Sequence, residues 1–372
     1  MLNAEARTIA LSTGTVRVTV ESAAWPLDRL CGFAARNNPK RGFLVVSKVL
    51  GRHIPARPQV MRAAVRDLAA QVPADLAGPV MVVGLAETAV CLGQTLHSEL
   101  RVQTGRDDIA FLHSTRQQVD HPLLCRFEEP HSHASAHLVY RPDGIDVPRT
   151  LVVVDDEIST GTTLANLTTA LVAQWPQVER IVVATLTDWS GDGAWMARMP
   201  RPTTRVRLLA GRLDWTPADT VMPTDLFEGF DTAAASLGRM TDAVNYGRLG
   251  TVAVVETMPP ALPPILGGEA LRIVGTGEFT WAPFRLAERM AAAGHDVVVQ
   301  ATSRSPARIG GAIGSALMFR DNYDTGVPNY LYNADPADGR TTWICHETPA
   351  GSIDPTLIAA LDARTIDWKD PA

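Results

Sequence analysis

The sequence predicts an α/β protein, with a central parallel sheet flanked by helices and followed by a second, smaller α/β domain. Short apolar runs of strand length alternate with segments in which apolar residues recur at helical spacing. The alternation begins again near residue 270, after a proline-rich stretch at 259–264. With 372 residues, there is length for two domains. We therefore expect a first domain at 1–215, a connecting segment at 216–265 and a C-terminal domain at 266–372.

The overall composition excludes several classes of protein. Apolar residues make up 46% of the chain and the net charge is −6, which argues against a general nucleic-acid surface. No apolar run reaches the roughly 18 residues of a membrane helix, and the first residues lack a basic-then-apolar signal. The four cysteines are scattered and contain no C-x-x-C pair, which predicts reduced thiols in a cytoplasmic protein.

The most informative stretch is a predicted strand, Leu151–Val154, which is followed directly by Asp155 and Asp156. A hydroxyl-rich segment with one glycine comes next, at 159–163, and then apolar residues at helical spacing. This segment therefore opens a helix, where unsatisfied backbone N–H groups favour a phosphate. In open α/β sheets, ligands bind outside the carboxyl ends of the strands.

The two carboxylates next to this loop only accept hydrogen bonds, so they would repel a phosphate unless something intervenes. Vicinal hydroxyls can donate to them, or Mg²⁺ can lie between the acids and the phosphate. A phosphorylated ribose with Mg²⁺ supplies both the vicinal hydroxyls and the cation. The alternative is an ordinary buried strand followed by a capped helix.

At these residues the stretch resembles the phosphoribosyl pyrophosphate (PRPP) motif of the type I phosphoribosyltransferases. The resemblance implies that Asp155 and Asp156 hold the ribose hydroxyls, directly or through Mg²⁺, and are catalytic. It also implies a 5′-phosphate loop made of Ser159, Thr160, Gly161, Thr162 and Thr163. Hypoxanthine-guanine enzymes of this type carry an aspartate where Ser159 stands, so an orotate-like or unusual acceptor is favoured over a purine.

The segment N-P-K-R-G-F-L-V-V-S-K-V-L-G-R-H-I-P, at 38–55, resembles a bacterial group within this family. The group comprises orotate phosphoribosyltransferase-like proteins of tellurium-resistance gene clusters. In such enzymes the N-terminal segment forms a hood over the acceptor base, which implies this role for Lys48, Arg52 and His53. Cations that flank a strand also often serve only to solvate an edge.

A second strand–turn–helix pattern begins at Val80–Val83 and continues through Ala86, Glu87 and Thr88 into a predicted helix. The resemblance implies a pyrophosphate loop at these three residues. Glu87 departs from the expected pattern, because a carboxylate suits pyrophosphate only through Mg²⁺. An ordinary turn between a strand and a helix is the alternative.

The polar region at 101–149 is predicted to form a lid. The resemblance implies that basic residues of this lid close over pyrophosphate, and the candidates are Arg116, His131 and His133. Two other interpretations stay open. Cys125 and His137 offer ligands for a metal together with the two lid histidines, although their spacing matches no standard zinc pattern. The region is also consistent with a solvated loop.

Two features follow the central motif. The next predicted strand ends at Asp188-Trp189, where Trp189 either stacks on an acceptor base or belongs to the core. Arginines then cluster in the stretch after residue 190, namely Arg198, Arg201, Arg205, Arg207 and Arg212. We interpret this stretch as part of the connection between the domains.

The C-terminal region contains T-S-R-S-P at 302–306, which closely resembles the signature of the TRSP domain found C-terminal to this phosphoribosyltransferase group. Arg304 and Ser305, after a predicted strand, form a candidate anion site. Glu278, after another predicted strand, is a candidate general acid or base. The alternative is a turn held by a pair between Arg304 and Glu278.

The resemblance implies an Mg²⁺-dependent transfer of 5-phosphoribosyl from PRPP to a nitrogenous base, with release of pyrophosphate, by a homodimer. The expected partners are PRPP and a nucleobase-like small molecule, with neither nucleic acid nor membrane. A second hypothesis is a non-catalytic regulatory protein that binds PRPP or a nucleotide. A third makes the C-terminal domain an enzyme that acts on the product of the first.

Overall fold

A computed structural model describes residues 5–36, 38, 41–128, 136–219, 238–240, 244–265 and 267–368. The described strands are β1 Glu5–Leu11, β2 Gly14–Ala23, β3 Cys31–Ala35, β4 Phe43–Ser47, β5 Val80–Gly84, β6 Ile109–His113, β7 Gln117–Val119, β8 Leu123–Glu128, β9 Ala136–Tyr140, β10 Thr150–Ile158, β11 Arg180–Asp188, β12 Thr203–Pro217, β13 Gly238–Met240, β14 Ala270–Gly275, β15 Asp296–Ala301, β16 Ala316–Arg320, β17 Pro328–Tyr332, β18 Thr341–His346 and β19 Arg364–Asp367. The described α-helices are α1 Leu27–Leu30, α2 Pro58–Ala69, α3 Ala89–Thr104, α4 Thr162–Gln174, α5 Trp281–Ala292 and α6 Pro355–Leu361, and two 3₁₀ helices span Ala194–Arg198 and Pro336–Asp338.

The described residues form two compact units. The central unit contains residues 62–211 and 237–256, and the terminal unit contains residues 1–61, 212–236 and 257–372. The first 61 residues thus share a unit with the C-terminal region. The predicted domain boundaries at 215 and 265 stay a prediction.

The central unit is built on five parallel strands in the order β12-β11-β10-β5-β6. The middle strands are apolar runs rich in valine, such as Leu151–Val154 in β10, and these side chains are completely buried. Such runs are expected where both faces of a parallel sheet are covered. The sequence-based prediction of an α/β protein with a central parallel sheet is therefore confirmed.

Helices α3 and α4 follow β5 and β10, and each packs through one apolar face. In α4 this face is Leu164, Leu167 and Leu171, as the spacing predicts, and all three are buried. A close approach fixes α3 on β5, because a Cβ on Gly93 would lie 3.0 Å from the Cα of Gly84. Because β10 and β11 pair in parallel, α4 between them forms a crossover connection.

The terminal unit contains a four-stranded parallel sheet in the order β15-β14-β18-β19 and three antiparallel pairs, β1–β2, β3–β4 and β16–β17. One buried cluster contains Ala34 and Val46 from the N-terminal strands and Tyr330 and Tyr332 from β17. This cluster packs the N-terminal strands against the β16–β17 pair within the same unit. The second α/β region expected from the sequence is present.

Among the helices described, none has both the length and the apolar character needed to cross a membrane.

Candidate functional site

The acidic pair lies within β10, close to its carboxyl end. Strand β10 pairs with β11 as far as Ile158 and Asp188, but it pairs with β5 only as far as Val154 and Gly84. Residues 155–157 therefore have a neighbouring strand on one side only, and all three are half-buried. The backbone N–H of Asp156 donates to the carboxylate of Asp155 at 2.9 Å. The half-buried acidic pair thus lies at the sheet edge where ligands bind in open α/β sheets.

The loop after the acidic pair is shorter than the sequence predicts. It contains only Ser159, Thr160 and Gly161, because β10 extends to Ile158 and α4 begins at Thr162. Thr162 and Thr163 therefore lie in the first turn of α4, and the hydroxyls of Thr160 and Thr162 are 3.1 Å apart. Ser159 and Thr160 are exposed. First-turn N–H groups have no partner within the helix, so they point toward this open loop.

Gly161 is required for two reasons. Its φ of +66° lies in the left-handed region, where a side chain is strained. A Cβ added there would also lie 2.5 to 2.8 Å from the indole ring of Trp195. The indole is buried and forms the floor beneath the loop.

A hydrogen-bonded network holds Trp195 in position. Its indole N–H donates to the hydroxyl of Ser190 at 3.0 Å, and this hydroxyl donates to the carboxylate of Asp188. Asp188 is only 1% exposed, and its other carboxylate oxygen accepts a bond from Arg205 at 2.9 Å. The ends of β11 and β12 thereby determine the conformation of the loop after β10.

A pocket with a volume of about 320 Å³ opens at this loop. It is lined by Ser159, Thr160, Ser190, Ala194, Trp195 and Arg198. The guanidinium of Arg198 donates to the backbone carbonyl of Thr160 and to the hydroxyl of Thr162. The pocket thus combines exposed hydroxyls, a helix N-terminus and a fixed cation, which suits an anion.

The predicted pyrophosphate loop lies on the same sheet edge, since β5 is the parallel neighbour of β10. The N–H of Leu85 donates to the carbonyl of Val154 at 3.1 Å, and the peptide bond between Ala86 and Glu87 is cis. Ala86 is buried, whereas Glu87 and Thr88 are half-buried. The two loops are thus neighbours, and the role of the second in binding pyrophosphate stays a prediction.

Ser114 supports this second loop, and nothing in the sequence pattern pointed to it. Its hydroxyl accepts the N–H of Ala86 at 3.0 Å and lies 3.1 Å from Nδ1 of His137. His137 is fully buried and stacks on Phe127 with a centroid distance of 4.7 Å. This histidine therefore has a packing role within the central unit.

The region predicted as a lid contains an antiparallel hairpin of β8 and β9. The hairpin contacts α4, where the side chain of Asn166 donates to the carbonyl of Glu128 at 2.9 Å. Arg116 lies before the hairpin and is only 6% exposed. His131 and His133 lie outside the described residues. Their closure over pyrophosphate stays a prediction.

The metal interpretation of the histidine-rich region gains no support from the described residues. Burial raises the pKa of the Cys125 thiol to about 12, and two of the four candidate ligands, His131 and His133, lie outside the described residues. Within the described ranges, no three His, Cys, Asp or Glu side chains are grouped in a way that suits a metal ion.

The donor chemistry of Asp155 and Asp156 suits Mg²⁺. Mg²⁺ prefers oxygen ligands, and it is usually held by one or two carboxylates together with water and substrate phosphates. Two half-buried carboxylates directly before the pocket loop supply this donor set.

Trp189, one residue after β11, is buried, and its backbone N–H donates to the carbonyl of Ile158 at 2.8 Å. Its position agrees with the core interpretation.

The residues predicted to form an acceptor hood belong to the terminal unit. Arg52 is only 3% exposed, and its guanidinium donates to the carbonyls of Gly277, at 2.8 Å, and Thr302. Nε2 of His53 lies 3.5 Å from the hydroxyl of Ser303, and Lys48 donates to the carbonyl of Asp28. Within this unit Arg52 and His53 thus contact the T-S-R-S-P segment, and a hood function stays a prediction.

The C-terminal candidates lie at the carboxyl ends of adjacent strands. Glu278 follows β14 and is buried, while Arg304 and Ser305 follow β15 and are half-buried. The guanidinium of Arg304 lies 4.0 Å from the buried carboxylate of Asp321. The N–H of Ser305 donates to the hydroxyl of Ser303 at 3.1 Å. The roles of these candidates in binding or catalysis stay predictions.

The parallel sheet, the acidic pair and the short loop that opens α4 define the phosphoribosyltransferase class of α/β protein. Comparison with family models agrees with this class. Residues 30–212 match the model described as phosphoribosyl transferase, and residues 251–361 match the TRSP domain that lies C-terminal to it. Together these matches cover well over half of the chain. The chain therefore belongs to the phosphoribosyl transferase family with a C-terminal TRSP domain.

Several solved structures are similar in part. An adenine phosphoribosyltransferase from Rhodothermus marinus is 16% identical, with 48% of this chain and 94% of that chain covered and a TM-score of 0.32. An orotate phosphoribosyltransferase from Aeropyrum pernix is 18% identical, with coverages of 46% and 80% and a TM-score of 0.27. A hypoxanthine phosphoribosyltransferase from Staphylococcus aureus is 16% identical, with coverages of 43% and 78% and a TM-score of 0.25. None of the curated proteins matches the chain in sequence.

Proposed function

We propose that the central unit transfers 5-phosphoribosyl from PRPP to a nitrogenous base and releases pyrophosphate in an Mg²⁺-dependent reaction. The observation that carries the proposal is that the half-buried Asp155 and Asp156, at the end of β10, directly precede the loop whose exposed Ser159 and Thr160 line the pocket. Membership in the phosphoribosyl transferase family supports the reaction class. A phosphorylated ribose has a diol for the acids and a phosphate for the pocket.

In this reaction the bond between C1 of the ribose and the pyrophosphate oxygen breaks, and a bond between C1 and a nitrogen of the base forms. The nitrogen loses its proton to solvent or to a basic group. Positive charge develops on the ribose ring as pyrophosphate leaves, as in other glycosyl transfers. Asp155 and Asp156 bind the ribose hydroxyls and place negative charge close to the ring, which stabilises this charge.

The remaining residues position the donor. The first-turn N–H groups of α4, with Ser159 and Thr160, hold the 5′-phosphate and so fix the ribose relative to the base. The loop at Ala86, Glu87 and Thr88 lies one strand away, where it would hold pyrophosphate. When bound, Mg²⁺ neutralises charge on the pyrophosphate, and Asp155 and Asp156 are the residues that would hold it.

The acceptor is proposed to be an orotate-like base or an unusual nitrogenous base. Ser159 stands where hypoxanthine-guanine enzymes carry a catalytic aspartate, and a hydroxyl is a poor general base. Lys48, Arg52 and His53 are the proposed hood, and His131, His133 and Arg116 are the proposed lid. We further propose a homodimer, which light scattering measures directly.

The test is to incubate the protein with PRPP, Mg²⁺ and a panel of bases, and to measure pyrophosphate. We expect release with at least one base, and a loss of about 100-fold or more in the Asp155→Asn, Asp156→Asn double variant. Undiminished release from this variant would contradict the site.

The same experiment separates the enzyme from a regulatory protein. If PRPP binds, measured by calorimetry, but no base in the panel gives pyrophosphate, the chain is a PRPP-binding regulator. If PRPP does not bind at all, both the transferase and a PRPP-binding regulator are contradicted. Removal of Mg²⁺ with a chelator should abolish turnover and should be reversed by adding the ion.

A further inference from the structure

We propose that Arg198 is a phosphate-binding residue that makes the pocket selective for a dianionic 5-phosphorylated ribosyl compound. This inference rests on the proposed function, because it assigns the phosphate of the same substrate to the pocket. The 3₁₀ helix Ala194–Arg198 lies in the stretch that the sequence indicated only as an arginine-rich connection. The structure instead makes it a wall of the pocket.

The contacts of Arg198 place its charge at the loop. One terminal nitrogen lies 3.3 Å from the hydroxyl of Thr162, and the other donates to the carbonyl of Thr160. A guanidinium has five N–H donors. These two bonds leave donors for a ligand in the pocket that Arg198 and Thr160 both line.

The segment that carries Arg198 is held by contacts of its own. The N–H of Ala194 donates to the carboxylate of Asp192 at 3.0 Å, which caps the start of the 3₁₀ helix. Gly193 before it has a φ of +75°, and a Cβ there would lie 2.7 Å from the guanidinium of Arg205. Trp195 is tied to Ser190 and lies beneath Gly161. The guanidinium is therefore carried on a braced segment.

Charge explains why this arrangement selects a dianion. The loop lies next to the carboxylates of Asp155 and Asp156, and these repel a phosphate. The N-terminus of α4 offers only about half a positive charge. Arg198 adds a full positive charge. A phosphate dianion gains more from this charge than a monoanion of the same shape.

The test compares Arg198→Gln and Arg198→Lys with wild type by calorimetry, using ribose 5-phosphate and ribose 5-sulfate as probes. The matched control is Arg149→Gln. Arg149 is a half-exposed arginine of the same unit that pairs with Glu179, just before the amino end of β10. Its removal changes the net charge equally, but at the opposite end of the strand.

We expect Arg198→Gln to bind ribose 5-phosphate about tenfold more weakly, or worse, as for a lost charge-assisted hydrogen bond. The loss should be smaller for the monoanionic sulfate, and the salt dependence of binding should become shallower. Arg198→Lys should recover part of the affinity, and Arg149→Gln should bind within about twofold of wild type. Equal losses for both probes, with an unchanged salt dependence, would mean that Arg198 only shapes the loop, and would overturn the inference.

The outcomes separate this inference from the proposed function. If wild type binds both PRPP and ribose 5-phosphate and Arg198→Gln binds them equally well, the Arg198 inference fails while phosphoribosyl transfer stands. If Arg198→Gln shows the expected loss but no base yields pyrophosphate, the transfer reaction fails while the inference stands. If wild type does not bind ribose 5-phosphate, the inference is overturned. Thermal unfolding of each variant establishes that it is folded.

Discussion

Two hydroxyl-rich segments in this protein follow a parallel strand, yet their surroundings differ. In the central unit Ser159 and Thr160 follow β10 and are exposed beside a pocket. In the terminal unit Thr302 and Ser303 follow β15 and are buried. The hydroxyl of Thr302 accepts the N–H of Gly277 at 2.8 Å. The first segment therefore offers hydroxyls to a ligand, while those of the second bind other parts of the chain.

The difference shows that a sequence pattern typical of anion binding predicts a site only where its side chains are exposed. A strand followed by Ser and Thr predicts an anion site in both units, and in the terminal unit Arg304 strengthens the prediction. In the terminal unit the guanidinium of Arg52 donates to the carbonyls of Gly277 and Thr302, which ties the ends of β14 and β15 together. The same residue types therefore stabilise a fold in one place and form an open pocket in the other.

The largest expected effect is on the terminal unit. Arg52→Met leaves two buried carbonyls without their donor, and each costs about 1–3 kcal/mol. We expect the free energy of unfolding of this unit to fall by about 2–5 kcal/mol, measured by urea denaturation. The matched control is Arg57→Met, because Arg57 forms an exposed pair with Asp296 in the same unit and should cost at most about 1 kcal/mol.

A loss below about 1 kcal/mol in Arg52→Met would contradict this structural role. The predicted hood role is tested in the same variant by the affinity for the acceptor. If acceptor binding weakens while Arg57→Met is unchanged, Arg52 also contributes to the hood.

The second expected effect is on the pocket. Gly161→Ala forces a strained φ and a collision with the indole of Trp195, so the loop must shift. We expect about 100-fold weaker binding of ribose 5-phosphate, measured by calorimetry. The matched control is Gly144→Ala, whose φ of +63° is similar but whose Cβ meets no atom within 4 Å. The control should lower stability by about 1 kcal/mol and leave binding intact.

A double variant separates the two causes at Gly161. In Gly161→Ala with Trp195→Ala the collision is gone and only the backbone strain remains. If the double variant binds ribose 5-phosphate as well as Trp195→Ala alone, the collision caused the loss in Gly161→Ala. If Gly161→Ala binds like wild type, the loop does not hold the phosphate as proposed.

The sequence was sufficient to predict the central strand, its two acids and the helix after them, because the valine-rich run and the apolar spacing are local signals. It was not sufficient for the limits of the loop. The strand continues to Ile158 because β11 pairs with it beyond the end of β5, and this depends on the relative lengths of neighbouring strands. The helix N-terminus accordingly begins at Thr162.

The supports of the site were also beyond prediction. Trp195 is far from Gly161 in the sequence and lies against it only in the folded chain. Ser114 follows a strand and belongs to no motif, yet its hydroxyl accepts a hydrogen bond from the backbone N–H of Ala86. Arg198 was seen only as a member of an arginine cluster, because the spacing of the cluster did not show which member faces a loop.

The third prediction concerns pH, and it compares the units through one buried histidine in each. Burial, followed by the charges of Arg52 and Arg36, lowers the pKa of His53 to about 3. In the central unit burial lowers the pKa of His97 to about 4, although a bond to the carbonyl of Ile109 partly opposes this. Both folded-state pKa values lie below the ordinary value of 6.5, so the unfolded chain binds these protons more readily.

The stability that each neutral histidine provides is therefore complete above about pH 6.5 and is lost as the pH falls toward the folded-state value. The loss is up to about 1.4 kcal/mol per pH unit for each histidine. Urea denaturation at pH 7.5, 6 and 5 should show a shallower pH dependence for His53→Asn in the terminal unit and for His97→Gln in the central unit. An unchanged slope in either variant would mean that folding does not lower the pKa of that histidine.

The smallest expected effects come from single hydroxyls, and they test the comparison most directly. Ser159→Ala should weaken binding of ribose 5-phosphate by about three- to tenfold and leave the unfolding midpoint unchanged, because Ser159 is exposed. Ser303→Ala should instead lower stability without affecting binding. Its hydroxyl accepts the N–H of Ser305 at 3.1 Å, so its loss should cost about 1 kcal/mol of stability and leave binding unchanged. If the two variants behave alike, exposure does not distinguish a binding loop from a structural turn in this chain.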